Sequence, residues 1–190
     1  MTDVPAQQPP PDLKARIKTS YDAIAETYNK WTTQHSDVRV RYLSKLFDLL
    51  PADSPRPLRI LELGCGAGEP STKLLASRPN VQVVGNDISS AQVAMARVNA
   101  QTWELGEGSS VEFIEGDMAD LTVLDFEKGS LDGVVALYSL IHLPREEQTV
   151  MLGRINRWLK PGGLLMGNFS EGEAEGIVME EWLDEKGWMF

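Results

Sequence analysis

The sequence predicts an α/β fold, a doubly wound and mostly parallel sheet with helices on both faces. Two observations carry that expectation. From residue 58 onward short apolar runs alternate with helical stretches, and parallel neighbouring strands need crossover connections of this kind. Three glycines, Gly64, Gly66 and Gly68, then fall within "LELGCGAGEP" between the first such run and a helix, where a turn must be tight and the main chain open to a ligand. With 190 residues and 42% hydrophobic content the chain can bury one substantial core but not two comfortable ones.

The elements follow in order. Residues 1–12 are rich in Pro and Gln, cannot offset the entropy of ordering, and are expected to form a flexible arm. Ile17, Tyr21, Ile24, Tyr28 and Trp31 recur at spacings of four and three and predict one helix over 13–31. A second helix is expected over 36–50, with Val38, Tyr42, Leu46 and Leu49 or Leu50 on its buried side. Three prolines in "PADSPRP" end it. Together 13–50 read as an N-terminal helical lid, and 58–190 as the main domain. Strands are expected at 58–63, 81–87, 111–117, 132–139 and 163–169. Helices should lie near 70–77, 89–101 and 145–159, with a short helix or loop around 119–128. The helix at 145–159 opens after Pro144, buries Val150, Met151, Ile155, Trp158 and Leu159, and stops at "KPGG". The acidic run "SEGEAEGIVMEEWLDEK" reads as a solvated helix carrying Ile177, Val178, Glu181 and Trp182.

Composition narrows the function. A formal net charge of −10 disfavours nucleic acid as a substrate, because phosphate-binding surfaces rely on many cations. One cysteine allows neither an intrachain disulfide nor a thiolate metal cluster. No basic n-region with an apolar run opens the sequence, and no segment has the roughly 18 to 20 apolar residues that span a bilayer. A cytoplasmic protein without membrane association is expected.

The glycine loop points to a nucleoside. In a parallel sheet ligands collect beyond the carboxyl ends of the strands. Asp87 ends the second strand about 20 residues after the loop, where a carboxylate can accept both ribose hydroxyls. A dinucleotide fingerprint counted from Gly64 would place Glu69 at its sixth position, a carboxylate against a pyrophosphate. The alternative spacing, Glu62-x-Gly64-x-Gly66-x-Gly68, puts an acid ahead of the glycines, ready for a cationic ligand end.

The stretch "LELGCGAGEPSTKLL" resembles motif I of the class I S-adenosylmethionine-dependent methyltransferases. The likeness continues in order through "VVGNDISSAQVAMA", "FIEGDMADL", "GVVALYSLIHL" and "RWLKPGGLLMGNF", over residues 58–170. It implies a Rossmann-like sheet of order 3-2-1-4-5 and S-adenosyl-L-methionine as cofactor, with S-adenosyl-L-homocysteine as product. By resemblance Gly64, Cys65, Gly66 and Gly68 line the methionine end near Glu62. Asp87 holds the ribose, Ile88 packs on the adenine, Asp117 meets its amino group and Met118 covers its other face. Leu137, Tyr138 and His142 lie close to the reactive methyl. "YDAIAETYNKW" is similar to the lid of many small-molecule methyltransferases, so that Tyr21, Tyr28 and Trp31 close over the site.

In-line methyl transfer asks the protein mainly for alignment and exclusion of water. Where the acceptor carries a proton, His142 is the candidate general base, and the aromatic faces suit a sulfonium. Tyr28 is the second candidate catalytic residue. Cys65 has no evident base and reads as a small loop filler. The "LYSLIHLP" turn lacks the Asn/Asp-Pro-Pro-aromatic motif of base methylators, and no acids suit magnesium against a catechol. The expected acceptor is therefore a small organic molecule methylated at O, N or S, in specialised metabolism. Members of the resembled family have seven strands, the last two an antiparallel hairpin that is expected to be absent here. The fifth-strand edge would then be open to a second copy or a full-length methyltransferase partner. A non-catalytic cofactor-binding subunit is the alternative reading, and a nucleotide-dependent reductase a more distant one.

Overall fold

The computed structural model describes residues 8–51, 54–120, 122–169 and 176–190. Most of the expected arm, residues 1–7, lies outside them. Five strands, β1 (Leu58–Leu63), β2 (Val81–Asp87), β3 (Ser110–Glu115), β4 (Leu131–Ala136) and β5 (Leu159–Gly167), form one parallel sheet in the order β3-β2-β1-β4-β5. The expected topology is therefore the observed one. β1 and β2 keep their expected bounds, whereas β3 and β4 end earlier and their last residues turn into the site. β5 starts earlier, at Leu159, because Leu159 still pairs with Leu131 before the register shifts and resumes at Gly133 and Leu164.

Alternation along β1 sorts the core into two layers. Leu58 and Ile60 meet α3 (Asp37–Leu49) and α4 (Ser71–Ala76) through Leu43, Leu46 and Leu75. Leu61 and Leu63 turn to the opposite face, where Met151, Ile155 and Trp158 of α6 (Arg145–Trp158) close the core with Val134 and Ala136. α5 (Ser90–Ala100) adds Val93 and Ala96 to a smaller cluster with Cys65, Trp103 and Phe113. At the amino end of the sheet Asp132 ties three strands: it accepts a fork from Arg56, the Arg59 amide and the Lys160 ammonium. Burial opposes the charge there, but these donors hold the carboxyl down to about 2.

Several expectations change. The single helix over 13–31 is two, α1 (Leu13–Ala23) and α2 (Ala25–Gln34), broken at Ile24. The apolar stripe survives the break, since Leu13, Ile17, Tyr21 and Ile24 are all buried. The buried side of α3 is Arg39, Leu43 and Leu46, continued by Leu50; Val38, Tyr42 and Leu49 are exposed. The face is turned by one residue, so that Leu43, Leu46 and Leu50 pack on the sheet and Arg39 shares their side. α3 packs in the sheet's helical layer, so that of the segment expected as a lid only α1 and α2 supply residues that line the larger cavity. In α6, Val150 is exposed rather than buried. The 119–128 stretch holds turns and no helix among its described residues.

The acidic C-terminal run does not form the expected helix. Residues 170–175 of it lie outside the described ones. β6 (Met179–Glu180) and β7 (Trp188–Met189) pair antiparallel as a separate two-stranded ladder. Glu181 and Leu183 sit at positive φ, which a helix excludes. The physical cause is burial: Trp188 and Phe190 join Leu13, Ile17 and Tyr21 in one cluster, flanked by Val178 and Trp182. This ladder does not extend the main sheet, and among the described residues β5 remains an edge strand, with Leu165 exposed.

Trp158 is fully buried between β4, β5 and Phe126. Trp158→Ala should lower stability by about 3–5 kcal/mol, while the exposed Val150→Ala should change it by less than about 0.5 kcal/mol. Urea unfolding midpoints measure both.

Candidate active site

The carboxyl ends of β1, β2 and β4 open into a cavity of about 650 Å³, including its mouth. Gly64, Gly66, Asp87, Ile88, Asp117, Met118, Tyr138 and His142 line it, and Tyr21 and Tyr28 cover it. A smaller cavity of about 370 Å³ adjoins it and shares Tyr28, Gly64 and Gly66; Glu62, Cys65 and Leu137 lie there. The expected residues thus converge, with two exceptions. Gly68 lines neither cavity and faces Trp103, whose ring a Cβ would meet at 2.6 Å. Trp31 stands in the lid's outer layer, against Tyr28 and Trp182.

The loop is held by Asp87. Its Oδ2 accepts the Gly66 amide at 2.8 Å and its Oδ1 the Ser89 amide at 2.9 Å. Burial pushes this carboxyl above the usual range, and those two amides oppose the shift. Gly66 needs its positive φ of 56° to present that amide, and a Cβ there would point between Gln92 and Tyr28. Gly64 faces Ser139 instead, so the first glycine serves the contact between two strand-end turns.

The lid is clamped at both ends of α1. Lys14 reaches Asp117 at 2.7 Å and Glu147 at 2.6 Å. Asp22 accepts from Ser89 Oγ and the Ala91 amide at the N-terminus of α5, where the helix end favours an anion. Burial works against the Asp22 charge, yet Lys18 and these donors hold its pKa below the ordinary value. Above the cavity Trp182 lies 5.7 Å from Tyr21 and 5.6 Å from Tyr28, ring centre to ring centre, and Tyr21 and Tyr28 meet edge to face at 5.1 Å.

His142 follows β4 in a short 3-10 turn (Leu140–His142). Its Nδ1 lies 2.6 Å from the main-chain oxygen of Phe190, which can only accept, so this nitrogen carries the proton. Nε2 is then the acceptor for the Tyr21 hydroxyl at 3.1 Å. Burial lowers the imidazole pKa, opposed by the Phe190 oxygen, and keeps the ring neutral near pH 7. Burial likewise raises the Tyr21 and Tyr28 phenols and the Cys65 thiol. Cys65 is therefore an inert thiol of the loop.

Of the residues that the sequence reading did not place at the site, Lys14, Gln92 and Ser139 line the larger cavity and Arg39 the smaller, while Trp182 packs on Tyr21 and Tyr28. Lys14 was discoverable, since it precedes Ile17 by three residues and Tyr21 by seven on the same stripe. Gln92 and Ser139 carry no such signal. Both are buried along the cavity, and the Gln92 amide and Ser139 hydroxyl have no hydrogen-bond partner among the described residues. Such groups are ordinarily paired, and here they face the space a polar ligand would fill.

A parallel sheet of this order, with a glycine loop after β1 and an acid at the end of β2, is the class I methyltransferase architecture. Comparison with known proteins agrees. Residues 60–163 match the model of the family described as Methyltransferase domain, and the chain belongs to that family. It is 30% identical over 167 residues to 27-O-demethylrifamycin SV methyltransferase of Amycolatopsis mediterranei, covering 80% of this chain and 58% of that one. A solved SAM-dependent methyltransferase of Methanosarcina mazei superposes with a TM-score of 0.52 at 29% identity, over 63% of this chain and 55% of its own. The DhpI–SAH complex superposes with a TM-score of 0.66 at 20% identity, over 93% and 78% respectively, a likeness of fold. The chain spans little more than half the length of the curated relatives it matches.

Glu62 is buried, with Oε2 accepting from the Thr72 hydroxyl. Burial raises its pKa from 4.5 to about 8, with the Thr72 bond opposing. The folded chain therefore keeps a proton that the unfolded chain releases, and stability should fall as pH rises through that window. Glu62→Gln should flatten this part of the profile in urea unfolding across pH; an unchanged slope would contradict the assignment.

Proposed function

We propose that the chain binds S-adenosyl-L-methionine and transfers its methyl group to O, N or S of a small organic acceptor. The observation that carries the reading is the convergence of the Gly64–Gly66 loop, Asp87, Ile88, Asp117 and Met118 on one cavity beneath an aromatic lid. The residues fit such a group: Asp87 offers its remaining lone pairs to a ribose, Ile88 and Met118 offer apolar faces to an adenine, and Gln92 and Ser139 need partners. Asp117 has one oxygen on Lys14 and the other on the Ala119 amide, so recognition of an adenine amino group there shares the carboxylate with α1. S-adenosylmethionine supplies a methyl group already activated on a sulfonium.

The protein's work is then alignment, exclusion of water and removal of a proton. Tyr21 and Tyr28 cover the cavity and Trp182 packs on both rings, which limits the access of water to the reacting atoms, and the Tyr28 ring gives a cation a π face. His142 acts as base through Tyr21: the phenol oxygen takes the acceptor's proton as its own passes to Nε2. The small-molecule acceptor agrees with the rifamycin-type substrate in the relative's name, and specialised metabolism is part of the same proposal. Cytoplasmic localisation is proposed with it; no described helix is long and apolar enough to cross a membrane. The open β5 edge, with Leu165 and Phe169 exposed, favours a second copy or a methyltransferase partner along that strand. A molar mass measurement reads this directly: a monomer with full turnover would leave the non-catalytic-subunit reading without support.

Calorimetric titration with S-adenosylhomocysteine tests the cofactor. Binding at about micromolar Kd is expected, weakened at least ~10-fold in Asp87→Ala by loss of the ribose contacts and of the loop's anchor. Equal affinity in the two proteins would overturn the assignment. With an acceptor found by screening, the rate should fall as pH drops through the lowered His142 pKa, because the base must be neutral. Tyr21→Phe should cost about 10²-fold or more in kcat.

A further inference from the structure

α3 has two apolar sides, and the sheet uses one of them. Leu43, Leu46 and Leu50 join Leu58, Ile60 and Leu75 in the core. Val38, Tyr42 and Leu49 are 45%, 44% and 70% exposed. With Lys45 they recur at spacings of four, three and four, which draws one continuous stripe along the helix, about 100° round from the buried one. A surface helix ordinarily turns charged and polar residues outward, and large apolar side chains gathered on one exposed face mark an interaction site.

The charges beside the stripe decide what fits it. Asp37, Arg41, Lys45 and Asp48 are the exposed charged residues of α3, two acids and two bases, so this face is neutral on a chain whose formal net charge is −10. Two copies that repel over the rest of their surface can meet here. An anionic membrane would instead call for an excess of cations. None of the four charges has an ion pair among the described residues. Arg41 and Lys45 lie over the Tyr42 ring, 5.5 Å and 5.1 Å from its centre.

The order of residues along the stripe supplies a register. Val38, Tyr42, Lys45 and Leu49 are spaced symmetrically about the midpoint between Leu43 and Ser44. A second α3 laid antiparallel about that midpoint sets Leu49 of the partner subunit on Val38 and Lys45 of the partner subunit on the Tyr42 ring. The same reversal brings Asp48 of the partner subunit within one helical turn of Arg41. Twofold symmetry then makes each of these contacts twice, which is the self-complementarity an isologous interface requires.

We propose that the outer face of α3 is an interface between two copies of this chain, packed antiparallel through Val38, Tyr42, Lys45 and Leu49 and flanked by Arg41–Asp48 ion pairs. The face is separate from the β5 edge, and the proposal is independent of the cofactor reading. One helix pair is small beside the roughly 1,200–2,000 Å² of a stable interface, so the dimer is a weak one, with a Kd of about 1–100 µM.

Sedimentation equilibrium across that concentration range reads the association. Leu49→Glu should weaken it at least ~10-fold, whereas Leu165→Glu on the β5 edge should leave it within about twofold. Both side chains are exposed, and circular dichroism checks that both variants are folded. Arg41→Asp should weaken association, and adding Asp48→Arg to the same chain should restore it. Mixed Val38→Cys and Leu49→Cys chains, oxidised with diamide, should link 38 to 49 far more than either chain links to itself; Cys65 is buried and does not compete. A wild-type chain that stays monomeric throughout, or a dimer broken by Leu165→Glu and not by Leu49→Glu, overturns the proposal. Loss of association in Leu49→Glu with neither the 38–49 link nor the charge-swap rescue overturns the antiparallel pairing. Binding of monomeric chain to phosphatidylserine vesicles, abolished by Leu49→Glu, would give the face to a membrane and contradict the dimer.

Discussion

Everything at the carboxyl end of this sheet depends on one carboxylate. Asp87 stands where β2 ends and holds the Gly66 amide with one oxygen and the Ser89 amide with the other. The first bond fixes the loop after β1, the second fixes the start of α5, and the two turns become one wall. Ser89 then caps α5 through Gln92 and passes its own hydroxyl to Asp22, which brings α1 over the cavity. The lid is thus a continuation of the same hydrogen-bonded chain that shapes the loop. A short polar relay of this kind favours one position for each of its members.

α1 and the segment 176–190 meet in one apolar cluster. α1 and α2 supply Tyr21, Tyr28 and Trp31, and the segment 176–190 supplies Trp182, Trp188 and Phe190, which pack on the same stripe. Trp188 donates its amide to Ser20 Oγ, and the Phe190 oxygen sets the tautomer of His142. The chemistry of the histidine is therefore governed from the far end of the chain. A neutral imidazole with its accepting nitrogen on a phenol is ready to take a proton, and burial keeps it in that state.

The central sheet was legible because its strands are buried runs with strong signals: "LRILEL" and "VQVVGND" begin and end as read, and the loop between β1 and α4 announces itself by its glycines. Asp87, read from its position after β2, and Asp117, implied by the family resemblance, both line the cavity. What escaped was set by tertiary contact. Val38 and Tyr42 gave α3 a plausible apolar face, yet Leu43, Leu46 and Leu50 are the side chains that the sheet buries, with Arg39 beside them. The acidic C-terminal run had charges enough for a solvated helix, but its tryptophans and Phe190 found more burial against Leu13 and Ile17. Gln92 and Ser139 could not be singled out at all, since only their unpaired burial marks them.

The central claim is that α1, α2 and the segment 176–190 close together over a nucleoside cofactor seated on the Gly64–Gly66 loop. Hydrogen exchange of the whole chain, with and without saturating S-adenosylhomocysteine, tests it most directly. The account predicts slower exchange together in the loop at 64–68, in α1 and α2, and in 176–190, because one ligand stabilises one coupled unit. Saturation that protects the loop while leaving both lid segments unchanged would contradict it.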